Sequence, residues 1–333
     1  MSGEVREGAV VVLLGPTGTG KTALACAIAD AWPVRLISCD SVQLYRDLRA
    51  ATAKPEGPEA RHPWALVDWA EPDQDVNLKD WVCAAERELK QAWSGRHLPL
   101  VAGGTGMYLR GLVKGVARAP RRDPGLRERL RALEARHGTP WLHRVLGRLD
   151  PRTAGRIGPR DRQRLVRALE VRIASGRSLA ALQHGGWEGP DRWPTLRIGL
   201  SLDREALYAR LDARVARFFE RGLIDEVLWL LGSRGVRPDA NALRAIGYRE
   251  IVRACRRRPD GTWVFEGDER PVRDEVARST RRYAKRQMTW FRREPGVVWM
   301  DAEDPELAGR CLETIRRWRR TFPSPSFGYT SEQ

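Results

Sequence analysis

The chain has 333 residues, 42% of them hydrophobic, with a formal net charge of +16 and a pI near 10.4. That length suggests two lobes at about 150 residues per domain. No stretch approaches the roughly 18 uninterrupted apolar residues of a membrane span, and the N-terminus lacks the apolar core of a secretory leader, so a cytoplasmic protein without a membrane partner is expected. Its five cysteines (Cys26, Cys39, Cys83, Cys255, Cys311) are scattered without histidine companions, which argues against a disulfide framework and against zinc. A basic cytoplasmic chain points first to nucleic acid. A bias toward Arg accompanies that signal, because six of the 59 basic residues are Lys. Where Lys persists it carries information: Lys21, Lys54 and Lys285 sit in motif-like stretches, while Lys79, Lys90 and Lys114 read as solvated positions.

Ala9 to Leu14 is an apolar, β-branched run that predicts a strand, and Thr22 to Ala31 has helical composition. Between them Gly15, Pro16, Thr17, Gly18, Thr19, Gly20, Lys21 and Thr22 fit the phosphate-loop pattern. Gly18 and Gly20 allow the sharp turn that aims successive N–H groups at one anion, Lys21 adds a positive charge, and Thr22 offers a hydroxyl to Mg2+. The pattern implies a bound polyphosphate without saying which. Val34 to Cys39 predicts a second buried strand ending in Asp40, Ser41, Val42 and Gln43, where an open α/β sheet places its ligand crevice. An aspartate there suits a helix N-cap equally well.

Residues 51–75 read as irregular or mobile, with Lys54 and His62 facing either ligand or solvent. Leu78 to Ala92 predicts a helix and Leu98 to Ala102 a third strand, which runs into Gly103, Gly104 and Thr105. An ATPase commonly carries a carboxylate at the end of such a strand. Glycines here make hydrolysis less expected and direct attention to transfer chemistry served by Asp40. From Arg118 to Arg172 sixteen Arg stand against six Asp or Glu, with leucines at helical spacing (Leu126, Leu130, Leu133, Leu165, Leu169), which predicts a helical insertion with basic faces. Gln183 to Trp193 reads as the loop leading back. Leu196 to Leu202 predicts another strand, and Asp203 to Glu220 a helix bearing Arg210, Arg214 and Arg217, whose guanidinium groups suit phosphate or surface carboxylates. Leu243 to Arg249 and a helix over Val272 to Arg293 close the domain. In that helix Val276, Tyr283 and Trp290 predict a buried stripe, and Arg278, Arg281, Arg282 and Lys285 an unopposed basic face.

Seven ordered stretches then carry a resemblance: GPTGTGKT (15–22), ISCDSVQLYRDL (37–48), TAKP (52–55), AGGTGMYLRGL (102–112), DRQRLVRALEV (161–171), ALRAIGYRE (242–250) and RYAKRQMTWFRR (282–293). Together they resemble the tRNA dimethylallyltransferases, also called tRNA isopentenyltransferases or the IPP transferase family. The resemblance implies an α/β, P-loop NTPase-like parallel sheet core flanked by helices, with an inserted all-helical tRNA-binding domain. Its segments would be 1–117 and 196–316 for the core, 118–195 for the insertion and 317–333 for a disordered tail. It implies a monomer of the short form without zinc, with Mg2+ as cofactor and two substrates. Those are dimethylallyl diphosphate and the anticodon stem-loop of a tRNA, whose adenosine 37 is prenylated on N6. By similarity Asp40, Thr105, Lys21 and Arg214 are catalytic. Gly15, Pro16, Thr17, Gly18, Thr19, Gly20, Lys21, Thr22 and Arg214 would hold the diphosphate, with Thr22 on the metal. The tRNA would meet Asp40, Ser41, Val42, Gln43, Thr105, Arg127, Gln163, Arg164, Leu165, Val166, Arg167, Arg244, Ala245, Ile246, Gly247, Tyr248, Arg249, Lys285 and Arg286. Two departures from the family pattern, Ala51 for a frequent Gly and Phe218 for a frequent Met, alter the expected prenyl pocket. A nucleotide kinase, an RNA-binding nucleotide switch and a prenyltransferase acting on free adenine nucleotides are the alternatives. The large basic surface argues against the first and the third, and the switch would need guanine-reading or ATPase motifs that the chain lacks.

Overall fold

The computed structural model describes residues 8–116, 119–120, 123–182, 187 and 189–321. Eight strands occur among them: β1 (Val10–Leu14), β2 (Val34–Ser38), β3 (Trp64–Ala65), β4 (Leu98–Gly103), β5 (Thr195–Ser201), β6 (Cys255–Arg257), β7 (Trp263–Phe265) and β8 (Val297–Asp301). Six form a sheet of order β3-β2-β4-β1-β5-β8 in which every pairing is parallel. β6 and β7 make a separate antiparallel hairpin. The central strands are buried over most of their length, and β1, an unbroken Val and Leu run, shows the pattern that burial on both faces requires. On one face Leu24, Ala25 and Ile28 of the helix Lys21–Ala31 pack with Leu13, Leu100 and Ile198, and with Cys311 and Ile315 of the helix Leu307–Arg320.

The sheet order has a functional consequence. From β1 the chain passes over the neighbouring position to β2, and β4 later fills the gap. The connections after β1, β2 and β4 therefore open at one carboxyl edge, which is where doubly wound sheets bind ligands. Gly103, at the end of β4, is required by the closeness of that edge, because a Cβ there would lie 2.1 Å from the Cys39 carbonyl oxygen.

Several elements differ from the sequence reading. Residues 51–75 hold a 3-10 turn (Gly57–Arg61) and β3, and Lys54 is neither a ligand group nor solvated. Its buried Nζ donates to the Tyr45 carbonyl at 2.5 Å and to Asp68 Oδ1 at 2.7 Å, which ties the segment to β2's exit. The last helix runs to Arg320, so residues 317–320 belong to it, and the expected tail beyond Thr321 lies outside the described residues. Arg118 and residues 183–186 and 188 of the loop Gln183 to Trp193 lie outside them as well.

The chain folds into two compact units, one of residues up to Val113 together with those from Trp193 onward, the other Lys114–Arg192. Inside the second unit Leu126, Leu130, Leu142, Leu146, Leu165 and Leu169 form the core. Glu170 is its electrostatic centre. The carboxylate accepts from Asp123 N (2.8 Å), Arg127 Nε (3.1 Å) and Arg167 Nη1 (2.7 Å), while Arg167 Nη2 donates to the Pro120 carbonyl (2.8 Å). Burial raises the Glu170 pKa, but hydrogen bonds from the two arginines outweigh it and the net direction is down. Removing one partner of such a pair leaves uncompensated charge. Glu170→Ala should therefore destabilise this unit by about 3–5 kcal/mol, seen as a lower unfolding midpoint in thermal denaturation.

Candidate active site

The glycine loop leaves β1 and turns through Gly18 (φ 90) and Gly20 (φ 78) into the helix Lys21–Ala31. Such left-handed backbone is open to glycine at no steric cost. The helix starts with no side-chain cap, so its first N–H groups remain directed at the loop and form an anion site. Thr19 Oγ1 and Lys21 Nζ both donate to the Pro16 carbonyl, at 2.9 and 2.7 Å, which fixes the loop's shape and holds the ammonium over it. Burial is the main cause that lowers the Lys21 pKa to about 8; Arg214 lowers it further, and Asp40 opposes both. Arg214 is shifted down by the same burial, again opposed by Asp40. Two cations and one carboxylate thus share one electrostatic neighbourhood.

At the end of β2, Asp40 Oδ1 accepts from Val42 N (2.8 Å) and Gln43 N (3.3 Å). No helix directly follows Asp40, so the helix-cap expectation is not met; the two bonds instead close a turn at the exit of β2 and use one carboxylate oxygen. No hydrogen bond among the described residues engages Oδ2, and Asp40 lines a crevice of about 260 Å³. Thr105, past β4, accepts from Ser41 N at 3.1 Å. The same crevice is lined by Thr17, Arg214, Phe218, Tyr283 and Arg286, and by Ala245, Ile246 and Arg249. Ala51 is another lining residue. Its Cβ stands against Gly247, where an added Cβ would approach to 2.8 Å. The departures at Ala51 and Phe218 thus both fall on the crevice wall.

That wall is held by a group the sequence reading passed over. Glu226 accepts from Arg49 N (2.9 Å), Ala50 N (2.9 Å) and the Tyr248 hydroxyl (2.6 Å), so it joins the 49–53 segment to the helix Tyr248–Ala254. Tyr248 is fully buried and serves this contact. Its side chain does not reach a partner outside the protein. Gly247 N donates to Glu250, and Arg249 pairs with the same carboxylate, while Arg244 is exposed.

In the second unit Leu165 and Val166 are buried, so contact from that turn falls to exposed Gln163 and Arg164; Arg127 and Arg167 are committed to Glu170. Two arginines expected to face phosphate pair internally instead, Arg210 with Glu303 (3.0 Å) and Arg281 with Asp212. Arg282, Lys285, Arg286 and Arg293 have no ion pair among the described residues, and with Arg110, Thr289 and Trp290 they surround a basic cavity of about 530 Å³.

The long helix Glu269–Phe291 corrects the expected stripe. Val276, Ser279, Thr280, Ala284, Gln287 and Phe291 are the buried set, whereas Tyr283 and Trp290 are half-buried. Gln287 is a polar residue on that stripe. The i, i+4 spacing from Val276 through Thr280 and Ala284, followed by an amide where an apolar residue belongs, is the signal that could have found it. Thr22 is half-buried at the start of the first helix, and among the described residues no group of three or more His, Cys, Asp or Glu could hold a metal. A hydroxyl alone suits Mg2+, which takes its remaining oxygens from substrate phosphate and water.

An α/β sheet with an anion cradle and a carboxylate at its carboxyl edge defines a group-transfer enzyme. Comparison with known proteins makes this particular. An IPP transferase family model matches residues 43–294 and an isopentenyl transferase model residues 8–62. The chain is 39% identical over 308 residues to the tRNA dimethylallyltransferase of Koribacter versatilis, covering 92% of this chain and 97% of that one. The crystal structure of the full-length tRNA isopentenylpyrophosphate transferase from Bacillus halodurans superposes with a TM-score of 0.67 at 30% identity, covering 95% of this chain and 98% of that one. A eukaryotic dimethylallyltransferase captured acting on tRNA shares the fold, with a TM-score of 0.77 at 22% identity over 96% of this chain and 81% of that one. The chain belongs to the IPP transferase family, the tRNA dimethylallyltransferases.

Proposed function

We propose that this crevice transfers a dimethylallyl group from dimethylallyl diphosphate to N6 of adenosine 37, beside the anticodon of a tRNA, and releases diphosphate. The observation that carries the reading is the meeting of Asp40, Arg214 and the glycine loop on one crevice, with Lys21 coupled electrostatically to both charged side chains. The curated relatives are tRNA dimethylallyltransferases, which supports tRNA as the acceptor.

The lone pair of an exocyclic adenine amine is delocalised into the ring, so attack on the allylic carbon needs a proton acceptor. Asp40 Oδ2 is the acceptor in this scheme. The N6–C1 bond forms, the C1–O bond breaks with its electron pair leaving on diphosphate, and the amine proton passes to Asp40. Negative charge that develops on the leaving group meets the N–H groups of Gly18 to Thr22, Lys21 and Arg214. Thr22 would hold Mg2+, which supplies further charge neutralisation at the phosphate oxygens. Thr105, fixed by Ser41, borders the path between base and carbon. A stacked adenine cannot enter a crevice of this size, so the nucleotide must flip out at a cost of a few kcal/mol. Arg244, Arg286, Lys285 and the basic faces of the helical unit would offset that cost through backbone phosphates.

The test is incubation with Mg2+, dimethylallyl diphosphate and an unmodified tRNA bearing adenosine 37, with mass analysis of the digested nucleosides and a parallel tube containing ATP. N6-prenylated adenosine without ATP consumption is expected. Phosphoryl transfer from ATP without prenylation would overturn the reading and favour a kinase.

A further inference from the structure

Gln287 is a buried primary amide in the last turns of the basic helix, and both of its ends are engaged. Its Oε1 accepts from Thr17 N of the glycine loop at 3.0 Å, and its Nε2 donates to the Gly104 carbonyl at 2.9 Å. The two contacts fix the amide's orientation, and they lie 270 and 183 residues away in sequence. The fit is close on the Gly104 side, where an added Cβ would stand 2.1 Å from Nε2. One helical turn earlier Tyr283 lines the same crevice as Thr17 and Asp40. A single helix face therefore grips the loop after β1 and the turn after β4 together.

We propose that Gln287 is a positioning residue for diphosphate. By taking the Thr17 N–H it holds the glycine loop in the conformation that aims the later N–H groups at the anion, and through Gly104 it sets that loop's distance from Thr105. This rests on the reading of the loop as the diphosphate cradle. A buried amide with two satisfied ends costs little to keep, whereas its loss leaves the part-buried Thr17 N–H and the buried Gly104 carbonyl without this partner. The loop would then turn toward other partners and the cradle would lose its shape.

Replacement by Met keeps length and volume but removes both hydrogen bonds. Replacement by Glu keeps the acceptor for Thr17 N, and its neutral form also restores the donor to Gly104, so protonated Glu is an isostere of Gln here. The experiment is calorimetric titration of inorganic diphosphate with Mg2+ into wild type, Gln287→Met and Gln287→Glu at pH 8 and pH 6, beside the tRNA affinity and unfolding midpoint of each protein. The wild type should bind diphosphate, and Gln287→Met should bind it about tenfold or more weakly at both pH values, with tRNA affinity within about twofold. Gln287→Glu should be weak at pH 8 and recover relative to wild type at pH 6, a rescue that mere loss of packing would not give. If wild type binds diphosphate and both variants match it at pH 8, the positioning role is overturned. No diphosphate binding by the wild type would overturn the cradle itself and this inference with it.

Discussion

Asp40→Asn should bind tRNA as tightly as the wild type and turn over about 10²–10⁴-fold more slowly. The expectation rests on which parts of the aspartate are structural. Its Oδ1 accepts from Val42 N and Gln43 N, and an asparagine carbonyl oxygen accepts the same two bonds, so the turn that leaves β2 should persist. What disappears is basicity at Oδ2. The charge change also works against a trivial explanation by lost substrate, because removing the anion beside Lys21 and Arg214 leaves those cations more attractive to diphosphate. Single-turnover prenylation with saturating tRNA, paired with tRNA binding by fluorescence anisotropy, checks the prediction. Weak tRNA binding with an unchanged rate in the bound complex would remove Asp40 from the role of base.

Replacing Lys21 with Met should cost about 10²–10³ in kcat, the usual loss for one preorganised group that meets developing charge. The side chain also gives this site a pH signature. Burial holds the Lys21 pKa near 8, so in the ligand-free protein the ammonium is present below that pH and is lost above it. In wild type kcat/KM should fall above about pH 8, and that limb should be missing from the Lys21→Met profile. The sign for stability is opposite. An unfolded lysine keeps its proton up to its ordinary value of 10.5, while the folded one releases it near 8. Between these values the unfolded chain binds more protons, so this residue's contribution to stability rises with pH across the window, and below pH 8 its buried charge opposes folding. Lys21→Met should therefore be at least as stable as wild type at pH 7, with its unfolding midpoint less dependent on pH between 8 and 10. A variant both inactive and strongly destabilised would show that the lysine is structural.

Much of the site is legible along the chain because the chemistry is local. A glycine loop between a strand and a helix is a contiguous device, as are a carboxylate at a strand's end and a glycine pair before Thr105. Their residue types follow from φ values and close approaches within a few positions. The central strand β1 announces itself by an unbroken Val and Leu run. The edge strand β8 does not, since Val298 and Trp299 are partly exposed and it becomes a strand by pairing with β5. β3 is too short to leave any pattern.

What the amino-acid sequence determined by itself is the inventory: the anion cradle, the candidate base, the excess of basic residues and, through seven ordered stretches, the family. Tertiary structure alone decided which charges are spent. Arg127 and Arg167 are committed to Glu170, Arg210 to Glu303, Arg281 to Asp212 and Lys54 to Asp68, and no sequence pattern separates them from Arg214, Arg282 or Lys285. Partners such as Gln287 and Thr17, or Glu226 and Arg49, lie far apart in sequence and are chosen by burial. A buried polar group must find a partner wherever the fold supplies one, and that search runs through space and not along the chain.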